Sequence, residues 1–162
     1  MKISKVREVK TPQRATDGSA GIDFFVPDDF TPFQLFPQTD VIIPSGIKAD
    51  IPKNHVLLGT NKSSVASTKQ AITRIDREST KGQRSSLIIG ADTIDSDYQG
   101  EIKMHIINVG SWPVTIYPGM QIAQYILVPV SLCGIKVVPE KELYESTTER
   151  GAKGFGEMDD NY

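Results

Sequence analysis

The sequence has one cysteine and two histidines, and both scarcities limit what the chain can be. Cys133 alone cannot form an internal disulfide, which favours a reducing compartment: the cytoplasm, or the host cytoplasm if the protein is viral. Without a cluster of cysteine and histidine, no structural zinc site is expected. No run of the sequence reaches the roughly 18 apolar residues of a membrane span, and no apolar stretch follows the charged residues 1–10, so neither membrane attachment nor a secretory signal is expected.

An excess of positive charge is also missing. The chain has 18 Lys and Arg residues against 20 Asp and Glu residues, which gives a formal net charge of −2. Proteins that wrap long nucleic acids usually carry a positive field, so binding to nucleic acid is not expected. A small polyanion could still bind where a few cations and backbone N–H groups converge.

What the sequence does contain is frequent punctuation between short apolar runs. Ten prolines and thirteen glycines divide the 162 residues, a length that suits one domain. Short strands at this spacing predict an all-β fold such as a sandwich, barrel or jelly roll. The predicted strands lie at residues 41–43, 56–58, 102–106, 122–130 and 135–138. Residues 102–106 alternate apolar and polar side chains, as in a half-buried strand, and residues 122–130 are nearly all apolar, as in a strand buried on both faces.

Three segments depart from the β pattern. Residues 63–71 begin with two serines that offer capping oxygens, and they predict one short helix. Residues 73–86 are polar and charged, as in a solvated loop. From Pro139 the apolar period is lost, so we predict a β domain over residues 1–138 and a mobile tail over 139–162.

Residues 93–100 contain the first group suited to catalysis. Asp95 and Asp97 flank a serine, Tyr98 follows, and Gly100 admits a tight turn into the next strand. Interpreted as a β-hairpin, this segment places Asp95 and Tyr98 near the turn. A carboxylate there can orient and deprotonate a water molecule, and an aromatic ring can pack against a sugar. A plain turn with aspartates capping backbone N–H groups is the alternative.

Two other segments offer groups that bind phosphate. Lys62, Ser63 and Ser64 lie at the start of the predicted helix, whose free N–H groups and positive end attract anions. In the tail, Arg150 can hold phosphate oxygens in a fork, and the glycines around Phe155 allow close backbone approach. A capped surface helix and a flexible tail are the alternatives.

Taken in order, five segments resemble the five motifs of the homotrimeric dUTPase family. They are residues 20–25, 61–66, 93–101, 119–124 and 150–156. Their order, spacing and residue types agree over nearly the whole chain. The resemblance implies a jelly roll of the β-clip type, assembled as a threefold trimer with active sites at subunit boundaries. The swapped C-terminal tail would close each site as a lid.

The resemblance also implies an activity, a metal and residue roles. The activity is hydrolysis of dUTP to dUMP and pyrophosphate, with Mg²⁺ held by the substrate phosphates and water rather than by protein ligands. Asp95 is the implied base, with Asp23 and Asp97 in support. Tyr98 is implied to pack on the deoxyribose and to reject ribonucleotides. The residues implied to read uracil, hold the phosphates or stack on the base are Asp92, Thr93, Ile94, Lys103, Lys62, Ser63, Ser64, Gln124, Arg150, Phe155 and Gly156.

Some features depart from the family pattern. Lys62 stands where arginine is usual, and lysine cannot form the two-pronged contact with phosphate. Glu157 follows the tail motif, where small hydroxyl residues are usual. Ser63 and Asp95 are 32 positions apart (95 − 63), which marks residues 73–86 as an insertion. Residues 84–87 also resemble the second motif but lie too close to Asp95. A compact chain with an insertion suits a virus or phage.

Three other functions fit parts of this sequence. The first is a dCTP deaminase of the same fold, which needs an acid near the cytosine amino group. The second is a regulatory homologue that keeps the nucleotide pocket and signals through a protein partner docked on the insertion at 73–86. The third is a structural jelly roll, which requires all five motif matches to be coincidence.

Overall fold

The computed structural model describes residues 1–66, 86–90 and 92–152. Within these ranges the chain is almost entirely β-structure, as predicted, with one α-helix of a single turn, α1, at Ser63–Ala66. The rest of the predicted helix, residues 67–71, lies outside the described residues. The strands are β1 Lys2–Lys5, β2 Gly21–Phe25, β3 Phe33–Leu35, β4 Asp40–Pro44, β5 Ile47–Asp50, β6 His55–Thr60, β7 Leu87–Ile89, β8 Thr93–Ile94, β9 Lys103–Asn108, β10 Val114–Ile116 and β11 Gln121–Pro129; a 3-10 turn lies at Glu140–Glu142.

The strands form two larger sheets and two strand pairs. One sheet has the order β2-β11-β6-β8, the other has the order β4-β9-β7, and β1-β5 and β10-β3 pair separately. All of these pairings are antiparallel. The nine-residue β11 is the central strand of the larger sheet: Tyr125 faces Ile22 of β2 on one side and Gly59 of β6 on the other.

The core follows the alternation that the sequence predicts. In β9, Met104, Ile106 and Asn108 are buried while their neighbours are at least partly exposed, which confirms the period-2 pattern of that strand. Phe24 and Tyr125 are fully buried, and their rings lie 4.6 Å apart at a tilt of 56°. Burial of each such large side chain stabilises the fold by about 1.5–3 kcal/mol.

Two strand predictions are corrected. The run at 56–58 does not end at Gly59, because Gly59 and Thr60 continue β6 and pair with β11. Residues 135–138 form no strand in the structure. The side chains of Ile135 and Val137 are 97% and 93% exposed, because no other strand of the described chain pairs with them to supply a buried face.

The chain divides into two compact units, Met1–Ser131 and Leu132–Tyr162. The β-sheets all lie in the first unit, and the 3-10 turn lies in the second. The domain boundary after residue 138 and the mobility of the tail stay predictions. Among the residues that the structure describes, none of the helices is long and apolar enough to cross a membrane.

The predicted insertion at 73–86 lies outside the described residues apart from Ser86. The two described residues that flank the gap are in contact: the Ser86 hydroxyl donates a hydrogen bond of 2.7 Å to the Ala66 carbonyl. The chain therefore returns at Ser86 to the point that it leaves at Ala66.

Candidate active site

The segment that carries Asp95 is a loop between two sheets, not the predicted β-hairpin. β8 pairs with β6 in the larger sheet, whereas β9 pairs with β4 and β7 in the other. The two-residue β8 takes its partners Leu57 and Leu58 from β6, so no ladder joins β8 to β9. A tight turn remains at its tip, where the Tyr98 N–H donates to the Asp95 carbonyl at 3.1 Å. We call residues 95–102 the Asp95 loop.

This loop and its flanking strands enclose a cavity of about 190 Å³. All six of its lining residues are predicted site residues: Asp92, Thr93, Ile94, Asp95, Tyr98 and Lys103. The structure thus brings together the carboxylate predicted to activate water and the groups predicted to surround the nucleoside. Asp95 is exposed, so its carboxylate can reach water; Asp97, on the same loop, is exposed as well.

Tyr98 is held in place by the end of its own loop. Its hydroxyl donates a hydrogen bond of 3.0 Å to the Glu101 carbonyl, while the side chain as a whole stays 42% exposed. Gly100 is required here, because a Cβ at this position would overlap the Tyr98 phenol. The ring is therefore fixed in orientation at the edge of the cavity, where it can pack against a ligand.

Asp92 forms the buried end of the cavity. It is 7% exposed, and its Oδ2 accepts a hydrogen bond from the hydroxyl of the fully buried Tyr125. Burial raises the pKa of the Asp92 carboxyl to about 6, although the hydrogen bond from Tyr125 and the charge of His105 lower it. Burial also raises the pKa of Tyr125, and the neighbouring Asp92 charge adds to the effect.

A second group of predicted residues meets on the larger sheet. The Oδ1 atom of Asp23 accepts hydrogen bonds from Lys62 Nζ at 2.9 Å and from Gln124 Nε2 at 3.1 Å. Asp23 is buried, and the Lys62 side chain is 16% exposed. Gly21 leaves room for the Gln124 side chain, which a Cβ at that position would overlap. We call Asp23, Lys62 and Gln124 the Asp23 cluster.

The Tyr125–Asp92 hydrogen bond behind the cavity and the Asp23 cluster lie on opposite faces of the larger sheet. Gln124 and Tyr125 are consecutive in β11, and consecutive side chains of a strand point to opposite faces. Gln124 bonds to Asp23 on one face, whereas Tyr125 bonds to Asp92 on the other. Among the described residues, no hydrogen bond or ion pair joins the lining of the cavity to the Asp23 cluster.

The remaining predicted site residues are placed as follows. Ser63 is exposed at the start of α1, and Arg150 is exposed in the second unit. The side chain of Ser64 is not described, and Phe155 and Gly156 lie outside the described residues, as does the Arg84 end of the alternative second motif. The roles of these residues stay predictions.

The cavity fits a Mg²⁺ ion that the phosphates of a substrate would carry. Its one exposed carboxylate, Asp95, would accept hydrogen bonds from the water shell of such an ion. Over the described ranges, no group of three or more His, Cys, Asp or Glu side chains is arranged to hold a metal ion.

Sequence reasoning missed Tyr125, Gly59 and Glu101. Tyr125 lies in a run that was interpreted only as a buried apolar strand. A signal was available, because a buried tyrosine usually needs a hydrogen-bond partner for its hydroxyl. The hydrogen bond that joins the Asp92 side chain to Tyr125 was not predicted either.

Fold and site together define a class of protein. A jelly-roll-like β fold carries a water-accessible carboxylate and a fixed tyrosine at one cavity, together with a lysine–carboxylate–amide cluster on the larger sheet. A carboxylate base combined with a cation for charge neutralisation is suited to hydrolysis of a phosphate anhydride.

A family model described as dUTPase matches residues 68–158. A deoxyuridine 5'-triphosphate nucleotidohydrolase of Chlamydia pneumoniae is 37% identical over 145 residues, which cover 90% of this chain and 88% of that protein. One from Hydrogenobaculum is 34% identical over 155 residues, with 95% and 94% covered. The chain belongs to the dUTPase family, which confirms the predicted family and enzyme class.

The fold is confirmed by a solved structure. The chain is similar to a mutant dUTPase of the staphylococcal phage 80alpha, with a TM-score of 0.74, 25% identity and 96% of each chain covered. That phage protein is described as having an enzymatic activity linked to a SaPI-inducing capacity. A phage relative also fits the expectation that a compact chain with an insertion suits a virus or phage.

Proposed function

We propose that the chain hydrolyses dUTP to dUMP and pyrophosphate, with Asp95 as the base. The observation that carries the proposal is the cavity that Asp95 shares with Tyr98 and the strand residues around them. The Asp95 carboxylate orients a water molecule and accepts its proton. The water oxygen then bonds to the α-phosphorus, the bond from the α-phosphorus to the bridging oxygen breaks, and pyrophosphate leaves in line.

Selection of the substrate is assigned to the same cavity. Backbone groups between Asp92 and Asp95 and at Lys103 read the uracil edge, and the close walls leave no room for the thymine methyl. A site of this kind rejects cytosine because the exchanged donor pattern leaves its own polar groups unpaired. The Tyr98 ring lies against the deoxyribose and excludes a 2'-hydroxyl by contact.

The triphosphate is assigned to the Asp23 cluster together with Ser63 and Ser64. Lys62 uses one of its ammonium donors on Asp23, which leaves others for phosphate oxygens. Gln124 is fixed by Asp23 and can position phosphate or water. Mg²⁺ bound to the phosphates would supply charge neutralisation. In the tail, Arg150 would contact the γ-phosphate and Phe155, beside Gly156, would stack on the base.

A homotrimer would join the two halves of the site. Because no hydrogen bond or ion pair among the described residues joins the Asp95 cavity to the Asp23 cluster, we assign a complete site to the cavity of one copy and the cluster of another. The exposed apolar side chains of Ile135 and Val137 support a tail that packs on a neighbouring subunit.

Pyrophosphate release, measured with Mg²⁺ for dUTP beside dTTP, dCTP and UTP, tests the proposal. We expect release from dUTP alone. Asp95→Asn should lower turnover by orders of magnitude while dUTP still binds. The matched control is Asp28→Asn, an exposed aspartate with no assigned role, which should keep wild-type turnover. Unchanged turnover in Asp95→Asn would remove Asp95 from the mechanism.

The rival functions are not favoured. The matching family model and the curated relatives are dUTPases, so a dCTP deaminase has no support beyond the shared fold. Ammonia release from dCTP would support the deaminase function. A regulatory role through the insertion depends on residues outside the described ranges and stays a prediction, as do the cytoplasmic location and the absence of nucleic-acid binding.

A further inference from the structure

A buried tyrosine lies behind the Asp95 cavity, and the proposed mechanism gives it no role. Tyr125 is fully buried in β11, and its hydroxyl donates a hydrogen bond to Asp92 Oδ2. The same hydroxyl lies 3.5 Å from the Lys103 carbonyl oxygen. Asp92 and Lys103 both line the cavity, and they stand just outside the two ends of the Asp95 loop.

The loop needs such a link because its strands belong to different sheets. In a β-hairpin, the ladder between the two strands holds the ends of the turn together. Here β8 pairs with β6 and β9 pairs with β4 and β7, so the structure describes no ladder across the ends of the Asp95 loop. The Tyr125 hydroxyl contacts Asp92 before the loop and the Lys103 carbonyl after it, in the place where a hairpin would have its ladder.

We propose that Tyr125 is a positioning residue for dUTP hydrolysis. Through Asp92 and the Lys103 carbonyl, its hydroxyl holds the two ends of the Asp95 loop at the distance that catalysis needs. The inference rests on the proposed function. It adds a role for the Asp92 side chain, which anchors the start of the Asp95 loop to Tyr125, while Asp95 and Tyr98 contact the substrate.

The backbone of β6 is shaped to let this link form. The Gly59 N–H donates to the Asp92 carbonyl at 2.8 Å, and the Asp92 side chain passes directly over Gly59 to reach Tyr125. A Cβ at position 59 would lie 2.7 Å from the Asp92 Cβ and 3.0 Å from its Oδ2. Gly59→Ala therefore displaces the Asp92 side chain, whose Oδ2 accepts the hydrogen bond from Tyr125.

Asp92 also makes the link sensitive to pH. The charged or titratable groups around it are Tyr125 from β11, His105 and Lys103 from β9, and Asp95 from the loop. The hydrogen bond from Tyr125 lowers the pKa of Asp92, which burial raises to about 6. Loss of the Tyr125 hydroxyl should therefore move the protonation of Asp92 to higher pH.

The test compares Tyr125→Phe with the wild type in steady-state dUTP hydrolysis across the acidic limb of the pH profile. Misplacement of reacting groups by about 1 Å costs up to 10²-fold, so we expect kcat/KM to fall by about 10- to 100-fold. We also expect the acidic limb to shift to higher pH. Tyr117→Phe makes the same chemical change at an exposed tyrosine and should leave both readouts at wild-type values.

Two further variants separate positioning from general stability. Asp92→Asn keeps an acceptor for Tyr125 but cannot ionise, so it should resemble the protonated wild-type residue: kcat/KM should be lowered as it is on the acidic limb, and that limb should be lost. Gly59→Ala should lower kcat/KM as Tyr125→Phe does, and it serves as the second variant if Tyr125→Phe does not fold.

The outcomes distinguish a failure of the role proposed for Tyr125 from a failure of the proposed function. A lower melting temperature in Tyr125→Phe and Gly59→Ala, with kcat, KM and the pH profile unchanged, would overturn the proposal and leave Tyr125 a packing residue. If the wild type hydrolyses dUTP and only this link fails, the proposed function stands. If the wild type does not hydrolyse dUTP, the proposed function fails, and this inference fails with it.

Discussion

The Lys62–Asp23 pair allows a prediction about stability: the free energy of unfolding lost when the pair is broken distinguishes a buried ion pair from a surface one. Asp23 is 2% exposed at its side chain and Lys62 is 16% exposed, with 2.9 Å between Nζ and Oδ1. Breaking a buried pair from one side costs about 3–5 kcal/mol, because a charge is left without its partner. Gln124 still donates to Asp23 and Lys62 keeps some contact with solvent, so we expect Lys62→Met to cost about 2–3 kcal/mol.

Urea unfolding at one fixed protein concentration measures this cost, because assembly would make the stability depend on concentration. Lys2→Met is the matched control: Lys2 pairs with Asp50 at 3.9 Å with both side chains more than 70% exposed, and such pairs often contribute nothing measurable. Lys62→Arg restores the charge and should recover most of the loss. If Lys62→Met loses no more stability than Lys2→Met, the Asp23 cluster is not held together by its charges.

Two other predictions concern stability. Because burial raises the pKa of Asp92 from 3.8 to about 6, the folded state holds this proton more tightly than the unfolded state. That contribution is complete below about pH 4 and is lost as the pH rises to about 6, so Asp92→Asn should flatten the pH dependence of thermal unfolding over this window; an unchanged slope would contradict the burial of the carboxyl. Gly21→Ala should cost about 1–3 kcal/mol in urea unfolding, because its Cβ overlaps the Gln124 side chain. Gly18→Ala, where a Cβ meets nothing within 4 Å, is the control, and an equal loss in both would refute the overlap.

The fold was predictable where apolar residues mark a strand. β9 was found from its alternating apolar residues, because one buried face imposes a period of two, and β11 was found from a short run that is nearly all apolar. Residues 135–138 are also rich in Ile and Val, but they form no strand in the structure. Composition alone does not say whether a partner strand is present. The pairing of β8 with β6 was also missed. Two residues carry too little pattern to choose between a sheet and a hairpin, and only the long-range register of β6 decides.

The candidate site was predictable as a set of residues but not as an arrangement. Asp95 and Tyr98 stand in one local motif, and the resemblance to the dUTPase family implied the other four residues around the cavity. Tyr125 is 33 positions from Asp92 and reaches it only because Gly59 leaves space between them. The separation of Asp23 from Asp95 likewise depends on the order of strands in the sheet, which no single motif encodes.

That separation leads to a test of the shared site. In the proposed trimer, Asp95→Asn disables the cavity and Gln124→Ala disables the cluster, so either variant alone should be inactive. In an equal mixture that is unfolded and reassembled together, a site is complete when an intact cavity from one variant meets an intact cluster from the other. Random assembly produces this pairing at one site in four, so we expect about a quarter of the wild-type activity. Native mass spectrometry verifies that mixed trimers form. Mixed trimers without activity would mean that each site is built within one subunit, and the cavity and the cluster would then have to meet by a rearrangement of the tail or the Asp95 loop.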